Sequence, residues 1–302
     1  MVYHEIQRKG KRKYNYLVKT IRHGKGWKKT RKYIGEGNLS KIKIRKEIEK
    51  FQKEVQKSIH LTQEQMQEIE NIKTRFDAYL KKGGKSGLEN FKEWFFTELT
   101  YNSNAIEGTS LSLRETSLII NEGIVPKNVS LREVNEAKNH KEALEFLLEY
   151  EGEVNENFIL KIHSIILKNI DDNNAGKYRK VPVFIVGSNV KFPPHSEVPK
   201  LIRELVKWYK LNKKSMHTFE LASLFSVKFV SIHPFIDGNG RCSRLLMNYI
   251  LKKNNYPEIN IYVKDRNNYL KSVRKANDED YAMIVDFLFR ILKKNYKFLG
   301  QE

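Results

Sequence analysis

Twelve consecutive residues concentrate the chemistry of this 302-residue chain: His233-Pro234-Phe235-Ile236-Asp237-Gly238-Asn239-Gly240-Arg241-Cys242-Ser243-Arg244. Two glycines one residue apart let the backbone turn tightly and present N–H groups inward. An amphipathic helix through Leu245, Leu246, Tyr249 and Ile250 starts there, so its positive dipole end faces the loop. Arg241 and Arg244 are three residues apart and are expected on one side of the first turn. This pattern suits two or three adjacent phosphates. Asp237, on the lip of the cradle, could hold Mg²⁺ against them. His233 could act as a general base near pH 7. Cradle, metal carboxylate and base together describe nucleotidyl or phosphoryl transfer to an incoming hydroxyl. Each feature alone has an ordinary reading as a turn, a loop histidine or surface ion pairs. Their crowding into twelve residues favours a site.

The elements that must position these residues are mostly helical. An apolar stripe through Leu221, Phe225 and Phe229 predicts a helix over 219–232, ended at His233 because Pro234 disfavours the α region in the residue before it. Leu88, Phe91, Phe95 and Leu99 share another helical face, with Trp94 beside it. Helical periods recur over 113–122, 131–150, 156–167, 198–211, 241–252, 266–276 and 280–296. Ser130 with Glu133, and Thr62 with Gln65, read as capping boxes. One interruption, Val181–Phe192 around Gly187-Ser188-Asn189, carries a β-hairpin signature. Residues 1–38 read as a two- or three-stranded sheet with turns at His23–Gly26 and Gly35–Asn38. Ser40 then caps a charged helix over 41–59, a second helix runs to about Leu80, and Lys82–Gly87 reads as a linker. The expected organisation is a basic β module over 1–38, a helical connector over 39–87, and a main domain over 88–302.

The twelve residues match every fixed position of the Fic motif, H-x-F-x-D/E-G-N-G-R-x-x-R, and the chain resembles the Fic family over about residues 88–295. That resemblance implies a mainly α fold, a Fic-type helical bundle with a β-hairpin flap, beside the small N-terminal β module. It implies a protein adenylyltransferase: AMP passes from ATP to a Ser, Thr or Tyr hydroxyl of a protein, and pyrophosphate leaves. By the same resemblance His233 deprotonates the acceptor hydroxyl and Asp237 binds Mg²⁺. Gly238, Asn239 and Gly240 form the anion hole for the α-phosphate, Arg241 lies on the phosphates, and Arg244 meets the γ-phosphate. Tyr269 is expected to line the adenine pocket. Ser103-Asn104-Ala105-Ile106-Glu107-Gly108 is similar to the family's inhibitory motif, S/T-x-x-x-E-G/N. It implies an inhibitory helix near 95–107 whose Glu107 pairs with Arg244 in the γ-phosphate space. Further stretches also resemble the family: Ser130–Glu133, His140–Ala143 and Asp265–Tyr269. His163 reads as a packed structural histidine, and His195 as a residue beside the flap.

Charge and composition set the remaining expectations. Lys and Arg number 56 against 36 Asp and Glu, for a net charge of +20. Residues 1–60 hold 19 basic against 5 acidic residues, and the rest of the chain 37 against 31. The basic head interleaves cations with Tyr14, Tyr16, Trp27 and Tyr33 on the expected strands, so nucleic acid is one expected partner. A solvated basic surface and a docking module for the target protein remain alternatives. Hydrophobic residues make up 40% of the chain, enough for a core, and no apolar run approaches a membrane span. A single cysteine, Cys242, excludes an internal disulfide framework and fits a reducing, cytoplasmic setting. Two other functions stay open: removal of AMP by the same site, with Glu107 positioning water, and a nucleic-acid-binding regulator whose Fic core only senses nucleotide. The oligomeric state, including a homo-oligomer, is not fixed by the sequence.

Overall fold

The computed structural model describes residues 2–10, 12–23, 26–54, 58–184 and 190–300; at 2, 19–23, 26–30 and 49–54 it describes the course of the backbone alone. The chain divides into two compact units, Met1–Ser58 with Leu211–His217, and Ile59–Lys210 with Thr218–Glu302.

The first unit is an antiparallel meander of β1 (Val2–Lys9), β2 (Arg12–His23) and β3 (Gly26–Glu36), followed by α1 (Lys41–Glu54). The register pairs Glu5 with Tyr16 and Tyr16 with Tyr33, and a bulge falls at Asn15/Tyr16. The Asn15 side chain repairs the interrupted ladder. Its amide donates to the Gly35 and Gly37 carbonyls at 3.1 and 2.8 Å. Leu17 and Val18 are successive, so they face opposite sides of the sheet. Both are fully buried, and the centre of the sheet is covered on both faces. Ser40 starts α1 by accepting from the Lys43 N–H at 3.2 Å.

The second unit is helical. α2 runs Gln63–Glu107, starting at a Thr62/Gln65 capping box. Within it, Gly84 alone leaves helical geometry (φ 57°). The expected linker at 82–87 is thus a kink between two helical runs that stay packed together, while the two compact units part near residue 58. The physical reason is packing on both sides of the glycines. Ile69, Ile72 and Phe76 before them and Phe91, Phe95 and Leu99 after them are all buried, and the Phe76 and Phe91 rings lie 5.1 Å apart. α3 (Leu113–Ser117) continues as a π-type turn, and α4 (Leu131–Glu149) opens with the Ser130/Glu133 box. α5 (Glu156–Ile166), α6 (Val198–Asn212), α7 (Thr218–Ile232), α8 (Asn239–Lys253), α9 (Arg266–Asn277) and α10 (Ala282–Asn295) complete the unit.

The core is the α7–α8 pair. Phe219, Phe225 and Phe229 of α7 and Leu245, Leu246 and Ile250 of α8 are essentially inaccessible. α8 also touches α2, α4 and α5, while α7 touches α9 and α10. A helix apolar on nearly all sides, as α7 is, must be enclosed in this way. Among the described residues no helix is long and apolar enough to cross a membrane.

The turn of the expected hairpin, 185–189, lies outside the described residues. Its described flanks, 181–184 and 190–192, carry no strand. An isolated two-stranded ribbon has too little partner surface to hold a regular ladder. The flanks are nevertheless drawn together, because the Arg179 guanidinium donates to the Val181 carbonyl at 3.2 Å and the Pro193 carbonyl at 2.6 Å.

Candidate active site

The helix–loop–helix of α7 and α8 places the site. His233 closes α7, its N–H reaching the Phe229 carbonyl at 3.2 Å, with a left-handed backbone (φ 51°) uncommon for a residue bearing a side chain. Arg179, itself buried, donates to the His233 carbonyl at 2.8 Å and so fixes this turn. The His233 Nδ1–H donates to the Val230 carbonyl at 3.3 Å, and its ring stacks on Phe192 at 4.1 Å. That bond assigns the proton to Nδ1 and leaves Nε2 as the acceptor. Burial pushes the imidazole down to about 4, so it is neutral at pH 7.

Between the helices the loop is braced from within. The Asn239 side chain accepts from the Phe235 N–H and donates to the Phe235 carbonyl, both at 2.9 Å. Its role is thus to clamp the loop, and only its backbone belongs to the cradle. His163 braces the loop from behind. Its Nδ1 accepts from the Gly176 N–H at 3.0 Å, Nε2–H donates to the Asp237 carbonyl at 3.1 Å, and its ring stacks on Phe235 at 3.6 Å. This is the packed structural histidine expected from sequence. Gly238 has φ 77°, and a Cβ there would press on Ile166, Leu167 and His163. The first intrahelical bond of α8 joins the Cys242 N–H to the Gly238 carbonyl. The N–H groups of Asn239, Gly240 and Arg241 precede it at the positive end of the helix.

The two arginines diverge rather than lying on one side. Arg241, buried, meets Glu136 at 3.3 Å and Asp237 at 3.2 Å. Arg244, also buried, turns to the end of α2, where Nε donates to Ser103 Oγ at 3.0 Å and Nη2 to the Ser103 carbonyl at 2.8 Å and Glu107 Oε1 at 2.7 Å. Tyr269 lies beside Arg244 on the wall of a shared cavity. Burial alone would lower the Arg244 guanidinium, but Glu107 and Tyr269 more than offset it. Glu107 is the last residue of α2, and Gly108, in a left-handed conformation (φ 108°), caps it through its N–H to the Asn104 and Ala105 carbonyls. A Cβ on Gly240 would collide with Glu107 Oε1. The carboxylate therefore stands directly against the start of α8.

One cavity of about 160 Å³ joins Glu107, His233, Gly240, Arg244 and Tyr269, with Val190, Phe192, Val230, Leu270 and Val273 as apolar walls. Small-molecule sites ordinarily span ~300–1,000 Å³. Arg241, Asp237 and His195 do not line it.

Asp237 carries the metal expectation. Burial would raise its carboxyl, but Arg241, the Gly238 N–H and Arg132 together hold it below the ordinary value. Arg132 Nη2 donates to Asp237 Oδ2 at 2.6 Å and Nε to Glu136 at 3.1 Å. Among the described residues no three metal-ligating side chains come together. A single ionised carboxylate fits Mg²⁺ that is held mainly by substrate phosphates and water. Glu136, which the sequence did not single out, is a second carboxylate beside the loop. Glu136 lies one turn after Arg132 on α4, and only that spacing hinted at it. Arg179 gave no sequence signal at all.

Residues 153–251 match the Fic/DOC family. The chain is 30% identical over 248 residues to protein adenylyltransferase Fic of Nematostella vectensis, covering 80% of this chain and 57% of that protein. It is 34% identical over 198 residues to protein adenylyltransferase fic-1 of Caenorhabditis elegans, covering 62% and 38%. The chain thus spans about half the length of the curated relatives it matches. Among solved structures, a variant of Fic-1 from C. elegans superposes with a TM-score of 0.72 at 26% identity, over 79% of this chain and 72% of that one. A Fic domain containing signaling protein from Bacteroides thetaiotaomicron superposes with a TM-score of 0.70 at 26% identity, over 78% and 96%.

Proposed function

We propose, for a chain that carries a Fic domain of the Fic/DOC family, that it is a protein adenylyltransferase held in check by its own Glu107. The observation that carries this reading is the single cavity shared by a neutral His233, the start of α8 at Gly240, Arg244 and Glu107. His233 Nε2 takes the proton from a Ser, Thr or Tyr hydroxyl of the target protein. The hydroxyl oxygen bonds to the α-phosphorus of ATP, and the bond from that phosphorus to the bridging oxygen breaks. Pyrophosphate leaves with the electron pair. The N–H groups at the start of α8 hold the α-phosphate oxygens where charge builds up. Arg244 meets the γ-phosphate once Glu107 withdraws. Asp237 would hold Mg²⁺, which supplies charge neutralisation on the phosphates.

Inhibition rests on the same geometry. One oxygen of Glu107 takes a guanidinium suited equally to phosphate, and the carboxylate abuts Gly240 where a phosphate of like charge would lie. The test is incubation with labelled ATP and Mg²⁺, reading label on the chain and on lysate proteins. Label transferred by the wild type or by Glu107→Gly, and absent from His233→Ala, supports the reading; no label from any of them rejects it. A second reading, removal of AMP from a modified protein, is favoured by Glu107 and His233 facing one cavity, since a carboxylate can orient water there. Release of AMP from a pre-labelled protein by wild type, but not by Glu107→Gly, would identify it.

A further inference from the structure

The basic sheet of residues 2–36 takes no part in the chemistry above, and its two faces differ. One face carries α1, with Lys32 of β3 paired to Glu47 at 3.8 Å. The register assigns Tyr14, Tyr16 and Tyr33 to the other face, together with Lys9, Arg12 and Arg31. The Tyr16 and Tyr33 rings lie 5.5 Å apart at 56°, and the Tyr14 and Tyr33 rings 6.3 Å apart at 47°. Tyr14 and Tyr16 are partly buried beside Tyr33, and Val18, in register with Arg31, is fully buried on the same face. Tyr33 is 51% exposed, and the side chains of Arg12 and Arg31 are 71% and 49% exposed. Two acids share the face, Glu5 paired with Arg31 at 3.4 Å and Glu36 with Arg12 at 3.7 Å.

We propose that this face binds single-stranded nucleic acid, with Tyr14, Tyr16 and Tyr33 as a stacking platform and Arg12 and Arg31 on the phosphates. A face that presents a half-exposed tyrosine ring between exposed arginines suits unpaired bases, whose flat faces are available, and not a duplex, whose bases are stacked inside. Tyrosine rather than phenylalanine or leucine on the outer face argues against insertion into a lipid surface, because each ring carries a polar hydroxyl. A purely electrostatic partner such as an acidic protein segment would need the cations but not the rings.

The experiment is fluorescence anisotropy of the full chain with labelled RNA and DNA single strands of about 12 nucleotides, within the usual single-strand site sizes. The same sequence as a duplex, and polyglutamate as competitor, complete the set. Both single strands, or RNA alone, should bind more tightly than the duplex and resist polyglutamate. Tyr33→Ala should weaken binding about tenfold with the salt slope unchanged, since one stacked base contributes ~1–3 kcal/mol, while Tyr33→Phe should bind as wild type. Arg31→Ala should instead reduce the slope of log affinity against log salt by ~0.7. Tyr33 is half exposed, so circular dichroism and thermal melting should match wild type and separate lost binding from lost folding. Equal or tighter binding to the duplex, full competition by polyglutamate, unchanged binding by Tyr33→Ala, or no binding at low salt would each overturn the proposal.

Discussion

His233 shows how a local environment sets a chemical role. Its ring is pinned by one hydrogen bond to Val230 and one stacked neighbour, Phe192, and burial favours the neutral form. A base works from its unprotonated state, so a value near 4 extends that state well below the ordinary histidine range. The transfer rate should therefore hold nearly level from pH 8 down to about 5 and fall only beyond that; a midpoint near 6.5 in the rate–pH profile would contradict it. His233→Ala should cost ~10²–10⁴-fold in rate and leave ATP affinity nearly unchanged, as measured by single-turnover kinetics and calorimetry. Arg132 offers a subtler test. Its guanidinium sits on the Asp237 oxygen that a cation would need. The Arg132 side chain is 58% exposed, so the pair is worth at most ~1 kcal/mol, about fivefold. Arg132→Ala should lower the Mg²⁺ concentration needed for half-maximal transfer by up to that factor, and should shift a Mg²⁺ titration followed by thermal melting in the same direction. An unchanged or raised Mg²⁺ requirement would show that Arg132 does not compete for Asp237.

At the scale of elements, the last turn of α2 decides whether the cradle is open. Glu107→Gly removes both the carboxylate against Gly240 and the only charged partner of Arg244 among the described residues, leaving its bonds to Ser103. A misplacement of ~1 Å can cost ~100-fold, so self-adenylylation should rise by up to that factor, and adding Arg244→Ala should abolish the gain. Equal labelling of wild type and Glu107→Gly would remove the inhibitory role. Gly108→Ala tests the same element through its backbone. Nothing lies within 4 Å of a Cβ there, yet φ is 108°, so the cost is strain alone, ~1–2 kcal/mol. That strain should fray the turn that carries Glu107 and give a smaller activation than Glu107→Gly, measured in the same labelling assay. These elements were legible because their signals are local. The Thr62/Gln65 and Ser130/Glu133 boxes sit within four residues each, and Pro234 marks the end of α7 by its own geometry. The glycines at 82–87 mark the kink at Gly84, and only the packing of Phe76 on Phe91 across it, which no local pattern encodes, keeps the two runs of α2 together. The Arg241–Glu136 pair joins residues 105 positions apart in sequence to within 3.3 Å, and no local pattern encodes such a contact. Nor does helical spacing alone say that Arg241 and Arg244 part company, since that depends on which acidic group each one meets.

Over the whole molecule, the site rests on buried polar groups that must stay neutral to stay buried. His140 and His163 are both fully inaccessible. His140 bonds Thr100 Oγ1 at 3.0 Å between α2 and α4, and burial, with Arg244 and Arg241 nearby, pushes it down to about 3. His163 braces the loop before α8, and burial pushes it down to about 4. In the unfolded chain both return to about 6.5. Between pH 6.5 and the folded values the unfolded state binds protons that the folded state refuses, so stability rises with pH there and is lost as pH falls. At pH 5 each histidine contributes a loss of about 2 kcal/mol, at ~1.4 kcal/mol per pH unit of separation. Carboxylates held low, such as Glu133 at about 2, begin to matter only below pH 4.5, so they do not obscure this window. His233, also held at about 4, adds a like amount, so a loss of about 6 kcal/mol should lower the melting temperature by roughly 15 °C between pH 7 and pH 5 for a unit of this size. His140→Gln, which cannot titrate, should start from a lower melting temperature but lose only about two thirds as much over the same interval. The measurement is thermal unfolding followed by circular dichroism at half-unit steps of pH. A melting temperature that stays level from pH 7 to pH 5, or a His140→Gln slope equal to wild type, would mean that these imidazoles already accept protons in the folded chain.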